Sequence, residues 1–242
     1  CQQNGLLRGY FHTGLSKLSY LAIDRNENFW MADKLNKKVY RLNNNNFQEI
    51  KILAREGKFV DTLNPVVLSI YEDKHENLWF GTDGEGVLLY SPGLTQFARA
   101  KTGFTRCIAS MNNEIYAGTF KNGLWRLSAD LSKAQRMAPL TFTDDLYFLD
   151  LIADRHGRIW AATDKGIFVA DPQGKIIARF ADKISTASFI NNAKDTITLS
   201  TDKGLYYFFP GTTPSFSRSQ PYPFIRGYLQ LNGKKWLGTP FG

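Results

Sequence analysis

Apolar and polar positions alternate with a period of two along most of this chain, in short runs cut by Gly, Asn or Asp. Runs of that kind, rich in Val, Ile, Tyr, Phe and Trp, read as half-buried strands and not as helices. The fullest instance is VLSIYEDKHENLWFGTDGEGVLLY, Val67 to Tyr90: an apolar strand, a polar turn, an aromatic strand, a glycine turn and a third strand. The same order recurs at Tyr20 to Leu42, Cys107 to Leu127, Leu149 to Ala170 and Ala187 to Phe208. A sixth copy opens at Gly227 and stops at Gly242, before its third strand.

One register position carries Trp30, Trp79, Tyr116, Trp160, Thr198 and Trp236, at steps of 49, 37, 44, 38 and 38 residues. A period near 40 with strands only is that of a four-stranded propeller blade, not of a helical or leucine-rich solenoid. The aromatic residues are expected to fill the wedges between blades. Small residues at Gly81 and at Ala161-Ala162 are expected where strands crowd near the axis. Outer strands are expected at Phe47 to Leu53, Thr95 to Ala100, Ala134 to Ala138, Lys175 to Phe180 and Ser215 to Arg218. The pattern predicts an all-β fold, a single six-bladed β-propeller with about four antiparallel strands per blade. KKWLGTPFG at the C-terminus followed by NGLLRGYF at the N-terminus reads as one repeat. The two ends are therefore expected to share a blade and close the ring, which removes exposed strand edges. The alternative is a stretch of a longer propeller array.

Composition narrows the chemistry. The 242 residues hold 43% hydrophobic and 14% aromatic side chains, too many for a disordered coil. Two cysteines allow at most one disulfide, and three histidines leave little for a His-built metal site or a His-dependent reaction. No apolar run approaches the ~18 residues needed to cross a bilayer as a helix. The net charge of +8 favours anionic partners. Its local runs are Lys34, Lys37, Lys38 and Arg41; then Arg99, Lys101 and Arg106; then Lys234 and Lys235. With the aromatics assigned to blade packing, no nucleic-acid module is left, and no nucleic acid is expected.

The residues DKHENLWFGTDGEGVLLY resemble the two-component regulator propeller repeat, found in periplasmic sensor regions of bacterial hybrid histidine kinases and related extracytoplasmic proteins. More loosely, the chain is similar to streptogramin lyase propellers. The resemblance implies a β-propeller in an extracytoplasmic bacterial setting and leaves the ligand open, because one fold hosts many functions.

Cys1-Gln2-Gln3-Asn4 resembles the start of a mature bacterial lipoprotein. It predicts an acylated Cys1, a tether over residues 1–4, a propeller over 5–242, and a periplasmic, outer-membrane-anchored protein that meets the membrane only through its lipid. Cys107, in the apolar run TRCIAS, is expected to be a buried structural residue. His75 and His156 occupy matching turns of different copies, too far apart for a joint site.

The second turns of the copies are expected at one mouth of the central channel. They supply Asp33, Lys34, Asp83, Glu85, Phe120, Lys121, Asp164, Lys165, Asp202, Lys203 and Phe241 as candidate ligand- or partner-binding residues; turn chemistry alone also explains the aspartates. No catalytic residue, metal or cofactor is expected. The function these features predict is a non-enzymatic binding propeller that engages an envelope protein in sensing or assembly. The alternatives are a periplasmic sensor of a polar or anionic small ligand, such as a glycan or metabolite, and a propeller lyase or lactonase.

Overall fold

The computed structural model describes residues 2–3, 6–7, 16–43, 46–56, 59–91, 97–137, 146–180, 187–192, 195–221, 227–231 and 234–238. All regular structure among them is β. Strands β1 (Gln2–Gln3) and β2 (Leu6–Leu7) pair antiparallel with each other. Blade 1 follows as β3 (Leu18–Ile23), β4 (Phe29–Asp33), β5 (Lys38–Asn43) and β6 (Asn46–Ile50). After the hairpin β7 (Ile52–Glu56) and β8 (Phe59–Leu63) comes blade 2: β9 (Val67–Glu72), β10 (Leu78–Thr82), β11 (Val87–Tyr90) and β12 (Phe97–Ala100). Blade 3 is β13 (Thr105–Met111), β14 (Glu114–Thr119), β15 (Leu124–Ser128) and β16 (Ala134–Arg136). Blade 4 is β17 (Phe148–Ala153), β18 (Ile159–Thr163), β19 (Gly166–Ala170) and β20 (Ile176–Phe180). Blade 5 is β21 (Ala187–Asn192), β22 (Thr196–Thr201), β23 (Gly204–Pro210) and β24 (Pro214–Gln220). A two-stranded sheet of β25 (Gly227–Leu231) and β26 (Lys234–Gly238) comes last.

Each blade is an antiparallel meander, and the outer strands fall in the expected segments. The hairpin β7–β8 was not expected. It adds to the outer edge of blade 2, with β7 parallel to β12, so that sheet has six strands. Its length explains why the first repeat step is the longest, and it covers an edge that would otherwise be open.

The core lies between blades. Trp30, Ala32 and Val39 pack with Ile70, Phe80 and Leu88 between blades 1 and 2. Trp79 packs with Ile108, Ile115 and Leu127 between blades 2 and 3. Tyr116 meets Phe148, Leu151 and Phe168, and Trp160 meets Ile197, Leu199 and Phe208. The four rings of that register position are fully buried, and each fills one wedge, as the alternation predicts. Thr198, which takes the position in blade 5, is fully buried too. Trp236 lies in β26.

Neither a sixth four-stranded blade nor a shared-blade closure is seen among the described residues. Among the described residues, β1 and β2 bond to each other, with Gln2 opposite Leu7, and β25–β26 is a sheet of its own. Among the described residues four sheets have four strands, the blade 2 sheet has six, and no sheet joins the two ends. A strand that pairs with its immediate neighbour in sequence meets those backbone bonds without a distant partner.

Candidate functional site

Three turns between the first and second strands of a blade share one device. Asp24, Asp73 and Asp154 stand six residues before Trp30, Trp79 and Trp160 and accept the indole N–H at 2.8, 2.9 and 2.8 Å. The other oxygen of Asp73 accepts the amides of His75 and Asn77, while Asn77 Nδ2 donates to Oδ2. Asp154 likewise accepts the amides of His156 and Arg158 and the Arg158 Nε. These turns end the strands and anchor the wedge rings. His75 and His156 sit exposed on two of them, in blades 2 and 4, and His12 lies outside the described residues.

The turns between the second and third strands lie together at the opposite end. Four of them donate a backbone N–H to the residue just before their own inner strand: Lys34 to Lys17, Asp83 to Val66, Phe120 to Phe104 and Asp164 to Tyr147. Thr82, Thr119, Thr163 and Thr201 close these turns by donating to the carbonyls of Gly86, Gly123, Gly166 and Gly204. Asp33 occupies the matching position in blade 1. Its buried carboxylate accepts the amides of Ser16, Lys17, Leu35 and Asn36. Burial pushes Asp33 up, but these bonds outweigh it and hold the carboxyl below the usual range.

The candidate turn residues share this end of the molecule but do not form one site. Glu85 pairs with Arg99 on the outer strand of its blade, away from the inner strands. Asp83 and Lys34 are exposed, and Asp164 caps the Tyr147 amide. Lys165 and Lys203 donate their amides to Thr163 and Thr201, and Asp202 sits beside Lys203 in the turn. Phe120 does assemble with neighbours. It stacks on Tyr147 at 4.0 Å between centroids and tilts against Phe104, and the Lys121 ammonium lies 5.8 and 5.7 Å from the Phe120 and Tyr147 rings. Phe241 and Cys1 lie outside the described residues. Part of the expected basic surface is satisfied locally, with Lys38 on Glu49 and Arg41 bonded to Gln48 beside the Trp30 ring.

The larger feature is a cavity of about 690 Å³ walled by the inner strands of blades 1 to 5. None of the described turn candidates lines it. Its polar wall groups are Tyr20, Ser69, Tyr71, Arg106, Ser110 and Asp150. Tyr71 and Ser110 share a hydroxyl bond of 2.6 Å across blades 2 and 3. Asp150 accepts the amides of Leu151 at 2.9 Å and Phe189 at 2.6 Å, which ties blade 4 to blade 5. Burial first, and then Asp150 and Cys107, push the Tyr20 hydroxyl up. Burial does the same, more strongly, to the Cys107 thiol, an unreactive part of the wall as expected. No group of three or more His, Cys, Asp or Glu placed to hold a metal occurs among the described residues.

Sequence reasoning missed this wall because inner-strand residues look like core in a linear pattern. The family model described as two component regulator propeller matches residues 62–84. Blade 2 carries that family's repeat.

Solved structures agree with the fold. The extracellular domain described as that of a hybrid two component system of B. thetaiotaomicron aligns with a TM-score of 0.68 at 19% identity, over 95% of this chain and 31% of that one. A second such domain from the same organism gives 0.68 at 16% identity, over 96% of this chain and 34% of that one. This chain thus spans about a third of either. The virginiamycin B lyase of Staphylococcus aureus gives 0.62 at 13% identity, over 92% of this chain and 77% of that one. No curated protein matches the chain by sequence.

Proposed function

We propose that this chain is an extracytoplasmic sensory propeller of the two-component type, which takes a polar small ligand in the cavity between its inner strands. The observation that carries the reading is the cavity itself. Its size falls in the range of small-ligand sites, and polar groups from several blades converge on it. The repeat in blade 2 and the description of two similar structures as extracellular domains support the setting. A lyase or lactonase would need a metal or paired acid and base groups in the channel. The reading proposed is binding alone.

Engagement of a protein partner is the second reading. It is favoured by blade 1, where Leu21 and Ile23 are 50% and 59% exposed on the face turned away from blade 2.

A thermal-shift screen of sugars and organic acids separates the two. The ligand reading expects at least one compound to raise Tm in the wild type and to lose its effect in Leu68→Trp, which fills the cavity. Stabilisation that survives Leu68→Trp would place the ligand elsewhere and overturn the reading.

A further inference from the structure

Four inner strands break register near their start, between Leu18 and Tyr20, Val67 and Ser69, Thr105 and Cys107, and Phe148 and Asp150. Each break leaves one residue without a ladder partner: Ser19, Leu68, Arg106 and Leu149. Bulges of this kind re-aim a side chain out of the alternating pattern. Leu68, Arg106 and Leu149 line the cavity, and of the bulged residues only Arg106 is charged.

Arg106 is exposed and makes no hydrogen bond or ion pair among the described residues. The other charge in the wall, Asp150, is already held by two backbone amides. The Ser69 backbone is in the same wall, but its hydroxyl, in a residue only 6% exposed, is packed against Gly81. A guanidinium with all its donors unspent, inside a concave wall, is a fork for a carboxylate. The Tyr71 and Ser110 hydroxyls, bonded to each other in the same wall, are groups that bond to alcohols.

We infer that the cavity binds a hydroxylated carboxylic acid, with Arg106 gripping the carboxylate and the serine and tyrosine hydroxyls meeting the hydroxyl groups. This rests on the reading of the cavity as a ligand site and adds the charge and class of the ligand. The sequence alone put Arg106 in a surface basic run with Arg99 and Lys101. The bulge is what moves it into the channel wall.

Calorimetric titration of the whole chain at low salt tests it, with D-glucuronate, succinate and D-glucose as probes. Glucuronate is expected to bind at least about 10-fold more tightly than glucose. Arg106→Gln should weaken glucuronate about 10- to 100-fold, and Arg106→Lys should restore part of that loss. An unchanged unliganded Tm in both variants separates lost contact from lost fold. Glucuronate bound no better than glucose, equal binding by Arg106→Gln, or no binding of any probe would each overturn the inference. Glucose binding blocked by Leu68→Trp but indifferent to Arg106→Gln would sink the anion while leaving the cavity as a ligand site.

Discussion

Trp79 Nε1 donates to Asp73 Oδ2 at 2.9 Å, so one carboxylate both closes a turn of blade 2 and holds the ring that fills the wedge against blade 3. Removing it leaves a buried indole N–H and two turn amides without an acceptor. Asp73→Ala is expected to cost about 2–4 kcal/mol in urea unfolding, with a change in tryptophan emission. A loss under about 0.5 kcal/mol would show that the turn holds without the carboxylate.

The same group sets an acid limit. Burial raises Asp73, but the bonds from the Asn77 and Trp79 side chains and the turn amides overcome it, so the folded carboxyl sits below the usual value. A depressed folded pKa adds stability that is complete above the unfolded value, about 3.9, and is lost as pH falls through the folded one. The stability gap between wild type and Asp73→Asn should therefore shrink below about pH 4. A gap independent of pH from 6 down to 3 would refute the linkage.

Trp160 has 0% of its surface exposed between blades 4 and 5. Trp160→Ala is expected to cost about 3–5 kcal/mol as a core truncation. Chemical denaturation measures it, and a cost below about 1 kcal/mol would mean that the blades repack around the gap.

The third residue after the turn aspartate is left-handed in three blades: Glu27 at φ 60°, Glu76 at φ 64° and Gly157 at φ 70°. Only blade 4 has glycine there. Relief of that backbone cost should make Glu76→Gly neutral to about 1 kcal/mol stabilising, against the extra chain freedom glycine brings. A Tm that falls by several degrees would contradict it.

Gly81 meets blade 3 at close range. A Cβ there would lie 2.4 Å from Ser69 Oγ and 2.8 Å from the Thr105 carbonyl oxygen. Gly81→Ala is expected to cost about 1–3 kcal/mol by overpacking, and adding Ser69→Ala should recover only part, because the backbone carbonyl remains. Full recovery by the double variant would show that the serine alone sets the limit.

How far the sequence reached depended on the kind of constraint. Period-two alternation, the recurring aromatic and the Thr-to-Gly turns act within one blade, so the chain order alone determined the strands and wedge rings of blades 1 to 4 and the strands of blade 5. The aspartate six residues before Trp was equally legible, though its bond to the indole was not drawn from it. Three features waited for the tertiary structure. The hairpin β7–β8 finds its partner in the outer strand of the next blade, and among the described residues β1 pairs with β2. The ligand wall comes from residues of several blades that meet only when the inner strands surround one cavity. Arg106 shows why: in sequence it is one more cation in a basic run. Its place in that wall follows from a one-residue register break, an event of pairing between strands that no pattern along a single strand records.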